Sequence, residues 1–118
     1  MASQTHVLLP TRSVSADETQ ETGVFDAGAY RTLEVAVRVF TPQAVGAGGV
    51  KLKLETAFED EEGAWAELEF TDSSTDVDLG SLGVEYKSVA RFLRYVRWKT
   101  DAGGGSAVIS VGVVAKGG

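Results

Sequence analysis

The chain is 118 residues long, with 11 Lys and Arg against 17 Asp and Glu, a formal charge of −6, a single histidine and no cysteine. Without cysteine, neither a disulfide scaffold nor a thiolate metal site can form. No apolar run approaches the ~20 residues that cross a bilayer, and an acidic chain lacks the clustered Lys and Arg that displace counterions from nucleic acid, so neither membrane nor nucleic acid is expected as a partner.

The length fits one domain, and the N-terminal MASQTHVLLPTR lacks the basic-then-apolar layout of a secretory leader. A weak strand signal covers His6 to Leu9, ahead of the polar stretch PTRSVSADETQET at 10–22. Residues 1–21 therefore read as an N-terminal arm or edge segment before a domain at 22–118. In the sharper version of that reading, Val7, Leu8 and Leu9 dock the arm on a neighbouring copy. A second weak strand covers Thr22 to Phe25.

The clearest periodicity follows. Leu33, Val35, Val37 and Val39 share one side of an alternating run, with Glu34 and Arg38 on the other. Val50, Leu52 and Leu54 then alternate with Lys51, Lys53 and Glu55. That rhythm is a strand with one wet and one buried face. Glu59-Asp60-Glu61-Glu62 before Gly63 reads as an acidic hairpin tip, and Ala64 to Phe70 as the return strand. Glu85 to Val89 is weaker; Phe92 to Thr100 is aromatic and β-branched; Ala107 to Ala115 is apolar enough for a central strand buried on both sides. Glycine clusters at 46–49, 80–83 and 103–105 punctuate the runs. The expectation is an all-β chain: a single antiparallel β-sandwich or jelly roll of about 7–8 strands with a polar N-terminal arm.

Nothing in the chain names a reaction. His6 is the sole histidine and has no partner implied by spacing, so no catalytic residue is assigned. One imidazole and no thiolate leave zinc too few ligands. Asp72, Asp76 and Asp78 lack the order of a calcium-binding loop. Gly46-Ala47-Gly48-Gly49 has neither the Lys-Ser/Thr nor the strand–turn–helix setting of a phosphate loop. No metal or cofactor is expected.

Charge placement is more informative. Eleven carboxylates and no Lys or Arg lie between Glu55 and Glu85, whereas Lys87, Arg91, Arg94, Arg97 and Lys99 fall in thirteen positions free of acid. Either these groups pair within the chain, or the acidic rim Glu59, Asp60, Glu61 and Glu62 of one copy meets Arg91, Arg94 and Arg97 of the next. By parity Val96 and Trp98 belong to the core, with Tyr95 and Arg97 outside. Most of the rings Tyr30, Trp65, Tyr86, Tyr95 and Trp98 are expected in the core.

Three pieces in order, Thr22-Gly23-Val24-Phe25-Asp26-Ala27-Gly28-Ala29-Tyr30-Arg31-Thr32-Leu33, Leu54-Glu55-Thr56-Ala57-Phe58-Glu59-Asp60 and Arg94-Tyr95-Val96-Arg97-Trp98-Lys99, resemble small β-sandwich proteins among the virion components of tailed phages. Gly63 and Trp65 sit roughly where that family's hairpin has its Gly and Trp, with Glu61-Glu62 lengthening the tip. The likeness spans about 22–115. It implies a non-enzymatic virion part assembled in the host cytoplasm: a capsid decoration or head or tail accessory protein. Its implied partners are its own copies and the major capsid or another virion protein. The Arg94-to-Arg97 strand also looks like that of carbohydrate-binding sandwiches, which would make Trp65 and Tyr95 sugar-stacking rings.

Overall fold

Period-two alternation builds the central strands of both sheets. The structure, a computed structural model, describes residues 3–42, 50–89, 91–101 and 105–117. Its strand segments are β1 (Ser3–Val14), β2 (Glu18–Thr19), β3 (Phe25–Asp26), β4 (Thr32–Thr41), β5 (Lys51–Ala57), β6 (Ala66–Glu67), β7 (Asp76–Asp78), β8 (Gly83–Val89), β9 (Tyr95–Asp101) and β10 (Ala107–Lys116). There is no helix among the described residues. The glycine turns expected at 46–49 and 103–104 lie outside them.

Two antiparallel sheets form a sandwich. One is ordered β1-β10-β4-β8; in the other β9 and β5 pair centrally, β2 and β3 flank β9, and β6 and β7 flank β5. β2 and β3 lie end to end, opposite Thr100–Lys99 and Val96–Tyr95, and β6 and β7 do the same along β5. Counting each pair as one interrupted strand gives four per sheet, in line with the expected seven or eight. The chain changes sheet at every connection except the hairpin from β5 into β6 and β7.

The inner faces carry the apolar parity. Leu33, Val35, Val37 and Val39 of β4 and Ile109, Val111 and Val113 of β10 face Leu52 and Leu54 of β5 and Val96 and Trp98 of β9, all buried. Each such aliphatic side chain contributes about 1.5–3 kcal/mol by leaving water.

Several expectations need correction. Residues 3–14, read from the sequence as an arm or edge segment, are the edge strand of the four-stranded sheet, paired with β10 from Ser3↔Lys116 to Val14↔Ala107. Leu8 and Leu9 are each only 2% exposed; they fill the chain's own core and are not free to dock elsewhere. β10 is central, but its buried residues alternate with half-buried ones: it has one core face. Only Ala66–Glu67 of the Ala64 to Phe70 run is strand. Beyond it, Leu68 and Phe70 turn into the core, and Phe70 N–H bonds to Ser74 O at 2.8 Å, closing a turn. Of the five rings expected mostly inside, only Trp98 is buried; Tyr86 is exposed and Tyr30, Trp65 and Tyr95 half-buried, because Tyr86 and Tyr95 have the outward parity.

Candidate functional site: two outer faces of unlike chemistry

The register β5–β9 places Lys51 beside Asp101, Lys53 beside Lys99, and Glu55 beside Arg97. These residues, with Asp76 and Glu67 from the flanking strands, cover the outer face of the second sheet. Opposite charges there neutralise one another. Lys53 Nζ lies 3.0 Å from Asp101 and 3.1 Å from Glu67, Lys51 reaches Asp76 at 3.5 Å, and Lys99 reaches Asp101 at 3.8 Å. Arg97 bonds Glu55 through both Nε (2.9 Å) and Nη2 (2.8 Å). The Lys53 ammonium holds Asp101 below the ordinary carboxylate value, and Asp101 then Glu67 raise Lys53 in return.

The basic residues of 87–99 are thus dispersed, not pooled. Lys87 lies on Asp72 at 2.5 Å, Arg94 on Asp26 at 3.2 Å, and Arg97 on Glu55; Arg91 is exposed and makes no ion pair among the described residues. Pairing within the chain is what the structure has for Lys87, Arg94, Arg97 and Lys99. At the tip, Glu59, Asp60, Glu61 and Glu62 are all exposed, and none makes an ion pair among the described residues. The tip is fixed by its backbone instead: Ala64 N–H bonds Glu61 O at 3.2 Å, and Gly63 takes φ +86°. No group of three or more metal-ligating side chains gathers among the described residues.

The candidate sugar-stacking rings are each partly occupied. The Arg97 guanidinium sits 4.1 Å from the centroid of Trp65, and Arg94 5.0 Å from that of Tyr95; such cation–π contacts are worth about 0.5–1 kcal/mol at exposed sites. Trp65 and Arg97 also line an open groove of about 1110 Å3, which runs between the acidic tip and the segment from Leu8 to Val24.

The outer face of the four-stranded sheet is different. Its charges are sparse, and Glu34 and Arg38 make no ion pair among the described residues. Val7 (60% exposed), Val84 (48%) and Tyr86 (66%) stand on it, Leu82 (73%) flanks it just ahead of β8, and Phe40 (37%) ends it. β8 is an edge strand turned the unexpected way. Glu85 and Lys87 lie opposite Val37 and Val35 on the core side, while Val84 and Tyr86 face solvent. Lys87 reaches past the edge to Asp72, and an inward charge on an edge strand also discourages unwanted sheet addition. This face is hard to see in the sequence. The signal was present as Leu82, Val84 and Tyr86 on one parity, but apolar parity normally marks the inside.

No protein-family model matches the chain, and no curated protein matches it in sequence. Among solved structures it is similar to YomS, a protein derived from the SPBc2 prophage, with TM-score 0.63 and 15% identity over 98% of this chain and 94% of that one. A structure of the Gx strain of infectious bursal disease virus gives TM-score 0.48 and 12% identity, covering 97% of this chain and 31% of the viral one. The likeness to YomS extends over essentially the whole fold of both chains.

Proposed function

We propose that the chain is a non-enzymatic structural protein of a phage virion, a capsid decoration or shell-stabilising part that works as a homo-oligomer. The observation that carries this reading is the contrast between its two outer faces. Acid–base chemistry needs titratable groups free to exchange protons with a substrate, yet most of the clustered charges are neutralised in pairs along one face. What is left open is a broad, weakly charged sheet face that exposes Val7, Val84 and Tyr86, the kind of surface that recognises another protein. Two further facts support it. The order β1-β10-β4-β8 in one sheet, opposite a sheet centred on β9 and β5, supports a jelly-roll reading, an architecture used by viral capsid and lectin domains, and a prophage-derived protein has the same fold over nearly its full length. A part that binds only the assembled shell stabilises it by mass action.

The test is co-sedimentation with assembled shells of the phage that carries the gene, at micromolar protein, beside unassembled capsid subunits. Binding to assembled shells alone supports the role. No binding to shells, together with absence of the chain from purified virions, overturns it.

A carbohydrate-binding module is the second reading, favoured by one observation: half-buried Trp65 borders the open groove beside the acidic tip. Oligosaccharide titration followed by Trp fluorescence separates the two, since a sugar stacking on Trp65 displaces Arg97 and shifts its emission.

A further inference from the structure

One row of cross-strand neighbours, Val7–Gly112–Ala36–Tyr86, runs across the outer face of the four-stranded sheet. Its middle is small and its ends are bulky. Along β4, Glu34 and Arg38 stand on either side of Ala36, each about 6.6 Å away at a rise of ~3.3 Å per residue. Both have the outward parity, and neither makes an ion pair within the chain among the described residues. Arg38 is held over the face by the Phe40 ring, 4.4 Å from its guanidinium carbon.

We infer that a second copy of this chain packs on this face, related by a two-fold axis lying along that row. Rotation about such an axis reverses strand direction, so Glu34 of each copy comes opposite Arg38 of the other. Glu34 and Arg38, unpaired within the chain among the described residues, then form two equivalent intermolecular pairs, the signature of an isologous contact. Gly112 and Ala36 meet their own counterparts at the axis, where a small-on-small contact lets the backbones approach. At the two ends of the row Val7 and Tyr86 meet their own counterparts, and with Val84 they supply the apolar edges of the contact. Four strands at ~4.8 Å spacing and about nine residues of length give roughly 500 Å2 per copy. Some 1,000 Å2 in total is at the lower end for a specific interface, which corresponds to a reversible dimer.

Other modes of association fit less well. Sheet addition at β1 is opposed by its register shifts between Val7 and Leu9 and between Leu9 and Arg12, by Pro10, and at β8 by the inward charges. The inference deepens the self-association half of the proposed function and can fail alone.

The experiment is sedimentation velocity on the purified chain from submicromolar to high micromolar concentration, with charge-reversed variants. Wild type is expected to dimerise. Glu34→Arg and Arg38→Glu alone should each weaken dimerisation about tenfold or more, because like charges then face across the axis. The two variants mixed should form a heterodimer, and the double variant should regain the homodimer. Rescue by mixing cannot come from misfolding, and melting temperatures check the singles independently. A wild type that stays monomeric at high micromolar concentration, or a dimer indifferent to both reversals, overturns the inference. Shell binding without dimerisation sinks this contact and spares the virion role; dimerisation without shell binding does the reverse.

Discussion

Gln20 extends the β2–β9 ladder one residue past the end of β2 and caps it opposite Trp98. Its backbone N–H donates to Trp98 O at 3.1 Å, and its side-chain Oε1 accepts the Trp98 N–H at 3.2 Å. The same amide's Nε2 donates to Thr22 O (3.0 Å), Gly23 O (2.9 Å) and, more weakly, Leu8 O (3.4 Å). One buried side chain thereby bridges the gap between β2 and β3 along β9 and ties it to β1.

Replacing it with leucine keeps the volume and strands these groups. Gln20→Leu should lose about 2–4 kcal/mol of unfolding free energy, the cost of several orphaned buried polar atoms. Gln20→Glu should be at least as damaging at neutral pH, since it sets a carboxylate against the Thr22 and Gly23 carbonyls. Chemical denaturation with Trp fluorescence measures both.

Removing residues 1–14 should unfold the protein and not release a spare strap. The deletion withdraws Leu8, Leu9 and Val14, together worth about 5–9 kcal/mol at ~1.5–3 each, against a total of about 5–15 kcal/mol for an ordinary domain. Loss of a cooperative melt and of dispersed amide signals is the expected outcome; a folded, less associated product would contradict it.

Stability should fall at both extremes of pH, from identifiable pairs. Lys87, then the Ser74 hydroxyl and N–H, hold Asp72 far below its ordinary 3.8. The Gly28 N–H, then Arg94, lower Asp26, and Lys53 lowers Asp101. Depressed carboxylates stabilise fully above their unfolded value, and the contribution drains away as pH drops below about 4. Lys87 and Lys53 are raised above 10.5, so their share is complete below that value and disappears as pH climbs beyond it. Asp72→Asn should flatten the acid limb of a melting-temperature profile.

Two turn positions separate backbone strain from packing. A Cβ at Gly63 would meet nothing within 4 Å, yet its φ is +86°; Gly63→Ala should therefore cost about 1 kcal/mol through conformation alone. Ser73, at φ 71°, is the converse, and Ser73→Gly should gain up to about 1 kcal/mol. Paired denaturant midpoints test both.

The strands legible in the sequence are those with one wet and one dry side. Leu33 to Val39, Leu52 to Leu54, and Val96 with Trp98 face as their parity dictates. β1 was obscured because its ladder is bulged where Leu8 and Leu9 are both buried in succession, and because Pro10 to Ser13, solvated at a sheet edge, look like loop. β8 misled for the opposite reason: an edge strand can turn Lys87 inward when Asp72 waits there. Pairing of the 87–99 cations with the acidic 55–85 region was legible only as one of two alternatives, and the particular partners were not. Arg97 and Glu55, 42 residues apart, meet only through the β5–β9 register, and the open face exists only once β1, β10, β4 and β8 are laid side by side.

The β1–β10 ladder joins the first of these strands to be synthesised with the last. Until residues 107–116 leave the ribosome, β4 has a neighbour on one flank only and Leu8 and Leu9 have no ladder to hold them against Val111. A nascent chain stalled short of that point is a greasy half-sandwich, dependent on chaperones or dilution to avoid clumping. Folding is therefore completed only by the closing strand, and a truncation that removes residues 107–116 should yield inclusion bodies in preference to a smaller domain.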